Sequence, residues 1–194
     1  MPKKISVLAF ACCLLFFSCT TLDQSMRIGN PFKMHMYPLK KIPLMPASSF
    51  TELPISRNWN ISVKKKSVES FYKVSLQADN KEIFISVFDK NDSNISTIHF
   101  EDEKITDLTW SESWDLTPED SVALFQWCFY DINRVAKMLS SINLRLSIEN
   151  IPEEETEVRR IYNKSNCIIK IEKSRKRIKY RNYEKKISIF LYEI

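Results

Sequence analysis

Nothing narrows the folds open to this chain more than its want of glycine: of 194 residues, only Gly29 lacks a Cβ. Glycine-rich loops that cradle phosphates need backbone without a Cβ, so nucleotide-binding motifs of that kind are excluded. Tight turns must fall instead on residues that tolerate positive φ, first of all Asn and Asp. The stretches "ADNKE", "DKNDSN" and "YNKSN" supply such turns between apolar runs.

The runs between those turns alternate with period two, as half-buried strands do. "FYKVSLQA" sets Tyr72, Val74, Leu76 and Ala78 on one face, and "EIFISVF" does the same with Ile83, Ile85 and Val87. "NISTIHF", "KITDLTW", "INLRLSI", "EVRRIYN", "CIIKIEK", "KRIKYRN" and "KISIFLYEI" continue the series, with the acidic "IPEEETE" as a loop. Such spacing predicts an antiparallel meander. His99 sits within one strand and is expected to be a satisfied, partly buried residue, since neither a nucleophile nor an acid partner stands near it in sequence.

One segment breaks the alternation. "LTPEDSV" reads as a helix start, with Thr117 at the N-cap, Pro118 at N1, and Glu119 and Asp120 in the first turn. The helix is expected to continue through "SVALFQWCFYDINRVAKML". At ~100° per residue, Phe125, Cys128, Phe129, Ile132, Val135 and Leu139 fall within one apolar arc of roughly 160°, with Trp127 and Met138 on its shoulder. A helix on a flat sheet needs only about 100° of apolar stripe, so a wrapping surface is expected. The predicted fold is mainly β with one long helix (α+β): a curved antiparallel half-barrel of about nine to ten strands with a helical lid.

The N-terminus carries the most specific local signal. "MPKK" is a basic start, "ISVLAFACCLLFF" an apolar run too short for an ordinary span, and "SCTTLD" follows. A small residue before Cys19 resembles a bacterial lipoprotein signal, although Phe16 and Phe17 depart from its usual residues, and "LAFAC" ending at Cys12 offers a rival site. The resemblance implies lipidation of Cys19 after removal of residues 1–18, and Thr20 in place of Asp implies sorting to the outer membrane. A plain signal peptide or an uncleaved anchor is the other reading. Residues 19–54 then form a lipid anchor and Pro-rich tether, and residues 55–194 the folded domain. Within the tether, Met34, His35 and Met36 suggest an amphipathic arm rather than a copper site, which wants more ligands at ordered spacings. Export permits a disulfide between Cys128 and Cys167, but two cysteines in a mid-sized core also serve as small apolar residues.

The order of lipoprotein signal, Pro-rich lead, strands, "LTPEDSVALFQWCFYDINRVAKML" and closing "IKYRNYEKKISIFLYEI" resembles LolB-like lipoproteins of the LolA/LolB superfamily over residues 50–194. That resemblance implies a half-open β-barrel under a helical lid, without catalysis or cofactor. It further implies acyl chains of a lipid or lipoprotein held in an apolar cavity for transfer or insertion, and a periplasmic LolA-like carrier as partner. Phe125, Trp127, Cys128, Phe129, Ile132, Val135, Met138 and Leu139 would line cavity and lid. LolB enters the membrane with an exposed apolar residue on a hairpin loop; "DKNDSN" and "FEDEK" are polar and offer no counterpart.

Between Val158 and Lys186 stand twelve Lys or Arg against two Glu. Arg175, Arg177, Lys179 and Arg181 alternate onto one face, where they would meet lipid phosphates or an acidic partner, or simply keep the sheet solvated. Nucleic acid is not expected to meet an exported chain. No GxSxG, HExxH or CxxC occurs, and no metal site is expected. The alternative to a carrier is an envelope lipoprotein that acts as a scaffold, its barrel filled by its own side chains.

Overall fold

A computed structural model describes residues 33–36, 40–50 and 54–194. Residues 1–18, Cys19 with its expected lipidation, Thr20 and much of the Pro-rich lead lie outside the described residues. The compact unit runs from Pro31 to Ile194.

A short hairpin of β1 (Lys33–Met36) and β2 (Lys40–Pro43) precedes a single turn of 3-10 helix at Ala47–Ser49. Five strands follow: β3 (Ile55–Lys65), β4 (Val68–Ala78), β5 (Glu82–Phe88), β6 (Asn94–Glu101) and β7 (Lys104–Trp110). Helices α1 (Pro118–Phe129) and α2 (Ile132–Ser141) come next. The second block of five comprises β8 (Arg145–Ile151), β9 (Thr156–Asn163), β10 (Asn166–Lys173), β11 (Arg177–Asn182) and β12 (Ile187–Glu193).

All ten strands of the two blocks form one open, curved antiparallel sheet in the order β7-β6-β5-β4-β3-β12-β11-β10-β9-β8. Every expected strand is present, and β3, which the sequence reading passed over, is the tenth. Its pairing with β12 joins the two blocks: Ile61 lies opposite Leu191 and Val63 opposite Ile189. Strands β7 and β8 are therefore the two outer edges, and the helices connect them. Nine strand gaps of ~4.8 Å make about 43 Å along the sheet. A twelve-residue helix covers only about 18 Å. The connection spans the edges as a chord, lying across the concave face. Register shifts at Val87/Phe88, His99/Phe100 and Cys167/Ile169 add local twist and help the sheet to curve.

The turns solve the glycine problem only partly as expected. Three hairpins close through two residues, and the first loop residue has positive φ in each: Lys66 (59°), Asp102 (52°) and Lys164 (56°). Asp92 and Asn143 also take positive φ, but so do Glu155 and Lys186. In "ADNKE" no residue does; instead, Asp79 Oδ1 accepts the N–H groups of Lys81 (2.7 Å) and Glu82 (3.0 Å).

One long helix is not what forms. Thr117 caps α1 as expected, its side chain accepting the Asp120 N–H, but α1 stops at Phe129. Tyr130 is extended, with ψ 154°. Asp131 then opens α2 by accepting the N–H groups of Asn133 (3.0 Å) and Arg134 (3.1 Å). A short acceptor side chain in mid-segment offers the backbone this second start. The broad apolar arc thus merged two helices of different character. In α1, ten of twelve residues are buried, whereas in α2 only Val135 and Leu139 are. No described helix is long and apolar enough to cross a membrane.

Burial on every side of α1 has two causes. One face fills the sheet's concavity. The other is covered by the lead-in, where Ile42, Leu44, Met45, Ala47 and Phe50 join the core. Gln126, 1% exposed, binds that segment through both amide atoms: Oε1 accepts the Met45 N–H (2.9 Å) and Nε2 donates to the Met45 carbonyl (2.7 Å). The segment expected as a tether therefore contributes to the folded body from Ile42 onward.

Candidate functional site

The concave face bears Trp59 and Ile61 of β3, Val74 and Leu76 of β4, Ile85 of β5, Ile178 of β11 and Leu191 of β12, all buried. Helix α1 presses Leu124, Phe125, Cys128 and Phe129 toward them, and Trp114 and Leu116 close one end. An apolar seam of about 40 Å³ remains between helix and sheet. That is well short of the ~150 Å³ that admits a benzene ring, so an acyl chain has no room while α1 stays in place. Burial pushes the Cys128 thiol up to about 12, which keeps it neutral.

Polar contacts at both ends hold α1 on this surface. At its start, Trp114 Nε1 donates to Ser121 Oγ (3.0 Å), and Lys185 Nζ reaches Asp120 Oδ1 and Oδ2 at 2.6 and 2.7 Å. At its end, Arg159 Nη1 donates to the carbonyls of Trp127 (2.8 Å) and Tyr130 (3.2 Å), while Lys173 Nζ donates to that of Cys128 (3.1 Å). The helix has no basic residue in its own last turn, so β9 and β10 supply the cations that its C-terminal carbonyls favour.

Beside the Phe129 end of the seam lies an open hollow of about 340 Å³. Trp59, Phe129 and Ile178 border both spaces. Around the hollow stand Arg57, Lys173, Arg175, Lys176 and Arg177, with Glu155, Glu157 and Glu193. Arg57 pairs with Glu193 (3.0 Å), and Glu157 with Arg159 (2.7 Å). Lys173 also lies 4.8 Å from the Phe129 ring centroid.

The structure separates the expected site residues. Phe125, Cys128 and Phe129 line the seam. Trp127 does not; it is 1% exposed and stacks on Tyr180 at 6.4 Å, away from the shoulder position expected of it. Val135 and Leu139 are core residues of α2, and Ile132 and Met138 are half-buried there. The four cations of one expected face also divide. Arg177, Lys179 and Arg181 lie outward on β11, but Arg175 belongs to the β10–β11 turn. Arg175 and Arg177 border the hollow at the seam. Lys179 and Arg181 border a separate convex groove of about 220 Å³ with Lys64, Lys170 and Phe190. There Glu172 pairs with Lys170 and lies 3.9 Å from Lys179; the Lys170 hydrogen bond holds its carboxyl below the usual range.

Sequence reasoning missed Trp59, Arg57, Asp120, Arg159, Lys173 and Lys185. Trp59 was legible, since "NWNISV" alternates Trp59, Ile61 and Val63 inward. The cations were not: Arg159 and Lys173 meet backbone carbonyls at the end of α1 about 30 or more residues away, and Lys185 and Arg57 meet the carboxylates of Asp120 and Glu193, 65 and 136 residues away. Cys128 and Cys167 are both free thiols. His99 is half-buried, with Nε2 2.7 Å from Glu82 Oε2 and Nδ1 3.1 Å from Thr106 Oγ1, on the outer face away from the seam. Among the described residues, no group of His, Cys, Asp or Glu is placed to hold a metal.

Neither a family model nor a curated protein matches this chain.

Proposed function

We propose that this chain is a non-catalytic lipid-binding lipoprotein of the outer membrane, anchored through Cys19, whose trough takes acyl chains when α1 swings out of it. The observation that carries this reading is that Trp59, Phe129 and Ile178 line both the apolar seam under α1 and the open hollow beside it. In this reading the trough is closed while α1 lies in it. A tail entering at the hollow exchanges contacts with α1 for contacts with the same inner sheet face, and each buried CH₂ contributes ~0.8 kcal/mol toward displacing the helix. Transfer of the chain to or from a LolA-like carrier follows from the same reading.

A second reading rests on the small residual volume. If α1 is a permanent core element, the protein is an envelope scaffold that works through its basic exterior. Native mass spectrometry of the full chain with palmitic acid separates the two. Stoichiometric adducts, together with faster backbone hydrogen exchange in α1, are expected of the carrier. A bare protein mass, with α1 as protected as the central strands, would leave only the scaffold.

A further inference from the structure

We infer that the hollow at the end of α1 selects amphiphiles with an anionic head, a carboxylate or phosphate monoester, over neutral ones of equal chain length. This rests on the carrier reading and names the head chemistry of its ligand.

Three features coincide there. The first is an apolar floor: Trp59, 3% exposed, and Phe129, 5% exposed, whose rings stand 5.8 Å apart. They line the seam as well as the hollow, so a chain lying on them sits against the seam's apolar wall. The second is a charge imbalance at the rim. Of the acids around the hollow, Glu157 and Glu193 are already joined to Arg159 and Arg57, which leaves Glu155. Of the cations, Arg175, Lys176 and Arg177 take part in no ion pair among the described residues. The third is position. The three come from one turn and the strand start beside it, where the Ser174 N–H donates to the Arg177 carbonyl (2.8 Å) and the Glu193 N–H to the Lys176 carbonyl (3.0 Å). The backbone that carries them is therefore fixed relative to the floor.

A neutral ester placed on this floor leaves the guanidinium groups solvated as before. An anionic head accepts charge-assisted hydrogen bonds from them, with Arg able to bind both oxygens at once. Lys173 is occupied by the Cys128 carbonyl and the Phe129 ring and contributes field rather than a free donor. The convex groove at Lys179 and Arg181 lacks this floor: Glu172 already pairs with Lys170 there, and its exposed ring, Phe190, lies on the opposite face of the sheet from the seam.

The test is competition on the full chain by native mass spectrometry, sprayed from a volatile detergent, with palmitic acid, hexadecyl phosphate and methyl palmitate in equal amounts. Both anions are expected to exceed the ester by about tenfold in bound adduct. In Arg175→Glu/Arg177→Glu the preference should fall to near parity while total uptake of ester persists. In Lys179→Glu/Arg181→Glu it should stay intact. All these positions are exposed, and circular dichroism verifies each fold. Equal binding of acid and ester by the unaltered chain overturns the head-group selection and leaves the carrier reading standing. Loss of preference only in the Lys179/Arg181 variant overturns the placement. No adduct of any probe removes both.

Discussion

Lys185, in the turn between β11 and β12, holds Asp120, in the first turn of α1, with Nζ 2.6 and 2.7 Å from the two carboxylate oxygens. The carboxylate is largely buried and the ammonium side chain is 20% exposed, so water competes for neither freely. The contact ties a helix that fills the trough to the last hairpin of the sheet. We expect Lys185→Met to cost about 2 kcal/mol, because it leaves a buried carboxylate without its partner. Adding Asp120→Asn should recover much of that loss. Urea unfolding of the two variants and the pair measures both effects. Additive losses would mean that the groups do not act together.

Arg159 should prove costlier. It is 4% exposed and is satisfied by the Trp127 and Tyr130 carbonyls and by Glu157. Arg159→Met is expected to lower stability by about 3 kcal/mol, through the unpaired carbonyls at the end of α1 and the orphaned Glu157 carboxylate. Hydrogen exchange should show the last turn of α1 opening first. Uniform loss of protection across the whole sheet would argue against a local role.

Two hairpins carry strain that glycine would relieve. Lys66 and Lys164 hold φ near +60° at the first position of two-residue loops. Each pays a Cβ clash of roughly 1–2 kcal/mol, against which glycine loses about 0.5–1 kcal/mol in chain entropy. Lys66→Gly and Lys164→Gly should each stabilise the fold by about 0.5 kcal/mol, read as a rise in melting temperature. A fall at both positions would refute the strain argument.

Glu184 gives a pH test. Its Oε2 is buried without a hydrogen-bond partner, and burial raises its pKa above the ordinary value of 4.5. The ionised folded state is therefore penalised at neutral pH. As pH falls through the raised value, the folded protein takes up the proton first and the penalty fades; below 4.5 it is gone. Glu184→Gln should accordingly raise the melting temperature at pH 7, with a gain that shrinks on acidification and disappears below pH 4.5. Asp79, whose pKa is lowered by the N–H groups of Lys81 and Glu82, behaves oppositely: its contribution is present above 3.8 and lost as pH falls through the lowered value.

Period-two alternation and the Thr117-Pro118 start were enough to place nine of the ten strands of the sheet and the beginning of α1. Both are local: an alternating run has one face to bury whatever its neighbours are, and a cap bonds its own helix. Even the break at Asp131 was written locally, in an acceptor side chain three residues before a free N–H, but the apolar run on either side of it masked the signal. Tertiary structure alone decided the rest. The pairing of β3 with β12 put β7 and β8 at opposite edges and so sent the helices across the concave face. That crossing stacked Trp127 on Tyr180 and, with Ile42 to Phe50 packed against α1, left the trough only a seam of about 40 Å³. It also divided one row of cations between the mouth of the seam and the convex face. Alternation fixes which way a side chain points from its own strand; only the curvature and order of ten strands fix what it meets.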